Sequence, residues 1–125
     1  MAIVYANDVK DDRMAAVRDQ IDAGAAAGKL EIGDAGFSTV LATIELADPC
    51  GTVASQALTL TMPQSDTNAD ATGTAAEARI RDSDNNDVIT GLTVGTAATD
   101  VVLDSVSITA GQTITINSAV ITHAT

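Results

Sequence analysis

Two acidic clusters in this chain carry the spacing of metal ligands. Asp82, Asp84 and Asn86 alternate like the first three ligands of a D-x-[DN]-x-[DN]-G calcium loop. The pattern then breaks. Asp87 stands where glycine makes the sharp turn, and Thr93 stands where a bidentate glutamate closes the shell. Residues 82–87 therefore read as a polar hairpin turn. Asp66, Asn68 and Asp70 repeat the spacing with no better closure. Cys50 is the single thiol and His123 the single histidine. A nucleophilic thiol needs a base beside it, and His123 is the one candidate, but one Cys and one His co-occur by chance in many chains. No Gly-x-Ser-x-Gly elbow is present. Gly24–Gly28 follows a helix instead of a strand, so it is no phosphate loop. The expectation is a protein with no catalytic residue, no cofactor and no bound metal.

The elements around these residues are read from periodicity. Residues 1–6 form a short apolar arm, followed by Asn7 or Asp8 as a helix N-cap. One amphipathic helix is predicted over residues 8–23, clearest from Val9 onward, with Met14, Val17 and Ile21 in one stripe. Asp8, Asp11, Asp19 and Asp22 are placed on its wet side, with Arg18 and Asp22 as an i,i+4 pair. Gly24 ends the helix.

Residues 29–123 read as strands and turns. Leu30 and Ile32 mark the first strand. Val40, Ala42, Ile44 and Leu46 alternate with Leu41, Thr43 and Glu45 in the second. Residues 47–51 break it, and Pro49–Val53 is read as a loop. Further strands are predicted over residues 57–62, 74–81, 88–92, 100–103, 105–109 and 113–122, with a long polar loop at 63–73 and a tight turn at 110–112. This spacing predicts a single mainly β domain: an antiparallel β-sandwich with one N-terminal amphipathic α-helix.

Composition narrows the function. The chain has 125 residues, 46% of them hydrophobic, with one Phe, one Tyr and no Trp, so a carbohydrate-binding module built on aromatic stacking is disfavoured. Ala and Thr make up about a third of the chain, which suits Thr-rich strand faces over an aliphatic core. Seventeen acids against six bases give a net charge of −11. That charge repels phosphate backbones and anionic bilayers, so neither nucleic acid nor membrane is an expected partner. The N-terminus lacks the basic and apolar regions of a signal peptide, and no apolar run is long enough to span a membrane.

Four segments resemble a family of small tailed-phage virion proteins. These are residues 22–32 (Asp-Ala-Gly-Ala-Ala-Ala-Gly-Lys-Leu-Glu-Ile), residues 39–49 with 70–84, and residues 107–116. The likeness runs from about residue 8 onward. It implies a non-enzymatic structural protein of the virion. On this resemblance the expected role is capsid decoration, binding the major capsid protein on the outside of the head shell as a homo-oligomer, with a trimer the first expectation. A tail or neck component is the alternative. Apolar groups outside the alternating strands, Ile3, Val4, Tyr5, Pro49 and Val53, are the expected contact residues.

Overall fold

The computed structural model describes residues 5–24, 26–47, 49–62 and 64–122. The chain is mainly β with one N-terminal helix, as its periodicity predicts. The helix, α1, spans Asn7–Ile21 and is capped by Ala6, which makes no side-chain cap bond. Neither Asn7 nor Asp8 caps it. Asp8 instead lies in the first turn, where its charge complements the helix dipole. The predicted stripe is the buried one: Met14 and Ile21 are in the core and Val17 packs against it.

The aspartates of α1 correct the sequence reading. Asp11 Oδ1 accepts the Gln56 N–H at 2.8 Å, and Asp22 Oδ1 accepts the Cys50 N–H at 3.1 Å. Both lie about 60–80° around the helix from Met14 at 100° per residue, so they border the apolar stripe and reach the hairpin beneath. Arg18 therefore pairs with Asp19, at 3.2 Å, and not with Asp22.

The strands are β1 Lys29–Gly33, β2 Val40–Glu45, β3 Gly51–Ala54, β4 Ala57–Leu60, β5 Gln64–Asp66, β6 Gly73–Thr74, β7 Glu77–Arg81, β8 Asp87–Gly95, β9 Val101–Leu103, β10 Ser107–Ile108 and β11 Ile114–Thr122. The hydrogen-bonded path runs β2-β1-β7-β8-β9-β11-β4-β3, with β5 also on β11 and a separate pair β10-β6. The sheet curls around one core. Its β2 end meets β5 through a side chain, the Thr43 N–H donating to Asp66 Oδ2 at 3.1 Å.

Three local features shape the curl. Leu41, predicted on the outer face of β2, is buried, because a register shift between Ile32 and Gly33 leaves it as the extra residue of a bulge. Pro49–Val53 is not a loop. Cys50 is fully buried and Gly51–Ala54 is a strand, joined to β4 by a two-residue turn with Ser55 and Gln56 both at positive φ. That turn lacks the Asn-Gly signal that marks such hairpins in sequence. The pairing of β8 with β9 is parallel, across a connection far shorter than a parallel crossover normally needs. Asp100 makes it possible: its carboxylate accepts both the N–H and the hydroxyl of Thr93, at 3.0 Å each.

Replacing Ile21 by Ala is expected to cost about 2–5 kcal/mol in urea unfolding at pH 7, as for a fully buried aliphatic residue. Val9→Ala, at an exposed position of the same helix, should change stability by less than about 0.5 kcal/mol. Equal effects would mean that α1 does not pack as described.

Candidate functional site

The acidic clusters with calcium-like spacing are spent on the backbone. Asp82 is buried in the β7–β8 turn, and its Oδ1 accepts the N–H groups of Asp84 at 3.0 Å and Asn86 at 2.9 Å. Its Oδ2 accepts Nδ2 of Asn86. Asp66 accepts the N–H groups of Asn68 and Thr43, and Asp70 accepts the Thr43 hydroxyl. Among the described residues no group of three or more metal-ligating side chains converges.

Hydrogen-bond donors shift Asp82 and Asp34 in the same direction. The Asn86 N–H and side-chain amide hold Asp82 below the usual carboxylate range. The Thr39 N–H and the Ser38 hydroxyl do the same for Asp34. Cys50 moves the other way: burial, with the adjacent Asp22 carboxylate, pushes its thiol up to about 12. A thiol so held stays protonated at neutral pH and is no nucleophile. His123 lies outside the described residues.

The expected contact residues do not form one patch. Ile3 and Val4 lie outside the described residues. Tyr5 is 44% exposed, with the Arg13 guanidinium 4.7 Å from its ring centroid, and Val9 beside it on the first turn is 43% exposed. Pro49 is exposed near the opposite end of α1, where Asp22 is bonded to Cys50. Val53 is half-buried in β3 and packs on the core, so it is no exposed loop residue.

A second feature, missed from the sequence, lies on the outer face of β1, β2 and β7. All three glutamates of the chain and three of its six bases fall there. Register sets Glu31 opposite Arg79 and Lys29 opposite Glu45 and Arg81. Arg79 Nε bonds Glu31 Oε1 at 2.6 Å, with side-chain exposures of 22% and 13%, so this pair is better shielded than an ordinary surface bridge. Arg81 bridges Glu31 at 3.4 Å and Asp87 at 2.7 Å. Lys29 Nζ donates to Asn85 Oδ1.

Phe37 roofs this face. It ends a tight turn in which its N–H donates to the Asp34 carbonyl and Gly36 takes φ +76°, and it itself adopts φ +55°, a strained value for a bulky side chain. Its ring covers the bare backbone of Gly33, where a methyl group would stand 2.8 Å from Phe37 Cδ1. The Arg79 guanidinium lies 4.3 Å from the ring centroid. Beside it, β8 bulges: Ala78 pairs with Leu92 but Ile80 with Ile89, and Gly91 takes φ +75°. Phe37, Glu77, Arg79, Thr90 and Gly91 line a cavity of about 170 Å³ that is open to solvent on the side of the exposed Thr90 and Gly91. The sequence held a trace of it in the lone Phe after Gly36 and in Gly91 inside an alternating strand.

Comparison with protein-family models, with curated proteins and with solved structures finds no match.

Two outcomes are expected. Because the folded Asp82 ionises below its unfolded value of 3.8, its contribution to stability is present above that pH and is lost as pH falls through the lower folded value. Acid unfolding of Asp82→Asn should therefore show a smaller loss of stability below about pH 4 than the parent chain. An unchanged pH dependence would remove Asp82 from the acid transition. Iodoacetamide at pH 8 should leave Cys50 unmodified in the native protein and label it fully in denaturant. Rapid native labelling would contradict the buried, protonated thiol.

Proposed function

We propose that the protein is a non-enzymatic structural subunit of a tailed-phage virion that decorates the outer surface of the head shell by binding the major capsid protein. The resemblance of residues 22–32, 39–49, 70–84 and 107–116 supplies the virion context. The surface chemistry is in keeping with it. A net charge of −11 suits an outward-facing protein and opposes contact with packaged DNA. Tyr5 and Val9 present apolar surface at the start of α1, continuous in sequence with the apolar residues before them. Copies of the chain associate in this reading as a homo-oligomer, a trimer at three-fold lattice positions, so that modest contacts combine through multivalency.

One observation favours the head over the tail. A tail-tube subunit needs a long loop to stack on the next ring, and the segment before Gly73 is the sequence's single candidate. That segment is tied down. Gln64–Asp66 pairs with β11, the Ala69 N–H donates to the Gln112 carbonyl, and the N–H groups of Asp70 and Ala71 donate to the Leu41 carbonyl. A segment so bonded is part of the subunit's own wall.

Mixing the purified protein with empty, tail-less heads and pelleting them tests the reading. Co-sedimentation near lattice stoichiometry is the expected result. Deletion of residues 2–6 should leave a cooperative thermal transition and weaken the binding. Binding to isolated tails but not to heads would replace this proposal with the tail reading.

A further inference from the structure

We propose that the cavity between Phe37 and the β8 bulge is a receptor for a single lysine side chain of a partner protein. Two local backbone features converge on it: the left-handed Phe37, a strained conformation for a bulky residue, and the Thr90–Gly91 bulge, where glycine takes the positive φ without strain. The bond from Asp34 to the Thr39 N–H, at 3.0 Å, and those to the Ser38 hydroxyl hold the loop that presents Phe37. The ring is thus fixed before any partner arrives, which lowers the entropic cost of binding.

The charges select the occupant. Arg79 is already neutralised by Glu31, and Arg81 is shared between Glu31 and Asp87. Glu77 lines the cavity, is half-buried, and among the described residues has no ion pair or side-chain hydrogen bond. The face around the cavity sets Glu31, Glu45, Glu77 and Asp87 against Lys29, Arg79 and Arg81, an excess of one negative charge, on a protein that attracts cations as a whole.

Size and shape narrow it further. A cavity of about 170 Å³ is smaller than the roughly 300–1,000 Å³ of small-molecule sites and suits one long side chain. A single carboxylate is too few ligands for a metal ion. An arginine would gain most by stacking on Phe37, but Arg79 already lies over that ring. Lysine fits what remains: its methylene stem against Phe37 and Gly91, and its compact ammonium at Glu77. The site is distinct from the Tyr5–Val9 surface, and its test uses no virion component, so it stands or falls apart from the decoration reading.

The test is an NMR titration of the ¹⁵N-labelled full chain with Nα-acetyl-lysine amide. The comparison ligand is the same compound acetylated on Nε, which keeps the stem and removes the charge. The Thr90 and Gly91 amides should shift saturably with the first ligand and not with the second. Affinity in the millimolar range is expected for one charge-assisted hydrogen bond and one stem packed on Phe37. Glu77→Gln should weaken binding about ten-fold, while Glu45→Gln, an exposed glutamate on the same face, should not. Raising the salt concentration should weaken it in the parent chain, which checks the ion pair without a substitution. Equal shifts with both ligands, undiminished binding in Glu77→Gln, or no shift at Thr90 and Gly91 would overturn the proposal.

Discussion

Aspartate bonded to backbone N–H groups holds this fold together. A curled sheet of short strands leaves many amide groups beyond the reach of a ladder, and each must find an acceptor. Asp11 and Asp22 take the N–H groups of Gln56 and Cys50, Asp34 takes that of Thr39, and Asp66 those of Thr43 and Asn68. Asp82 closes the β7–β8 turn and Asp100 the unusually short parallel connection. A charged acceptor makes such a bond stronger than a neutral one. The acidity of the chain is therefore partly structural. Six of its aspartates, Asp11, Asp22, Asp34, Asp66, Asp82 and Asp100, are joints, while its three glutamates stand on one outer sheet face.

The core these joints enclose is aliphatic and small-residue rich. Leu30, Ile32, Ile44, Leu58, Ile80, Leu103, Ile114 and Ile116 fill its centre with essentially no exposure. Strand β11 organises it. Its first residues pair with β5, its middle with β9 and its last with β4, and a register shift between Ile116 and Ser118 accompanies the hand-over. Bulges of this kind increase local twist, and here they let one continuous sheet wrap its own core. The helix then seats on the β3–β4 hairpin, fixed by an aspartate toward each of its ends.

Two surfaces stand out against this scaffold, and they differ in physical character. Around Tyr5 and Val9 the surface is apolar and lies on the first turn of a helix, which suits adhesion by area. The Phe37 cavity is small, charged and rigidly framed, which suits recognition of one group. Under the decoration reading we propose, both would serve: area for affinity, and a charged contact for orientation.

Periodicity alone settled the mainly β class, the single helix with its Met14–Val17–Ile21 stripe, and the strands at Lys29, Val40, Ala57 and Glu77, because alternation and helical spacing are local properties of a chain. It also gave the reading of Asp82–Asp87 as a turn, since Asp and Asn bond their own neighbouring backbone. Tertiary structure decided the rest. Leu41 turns inward only because a bulge in the β1–β2 pairing displaces it. Cys50 and Val53 leave the expected loop only because β4 and α1 supply partners for them. The Phe37 cavity exists only where β1, β7 and β8 come into register. It brings together residues from 37 to 91, and no rule of local spacing reaches across that separation.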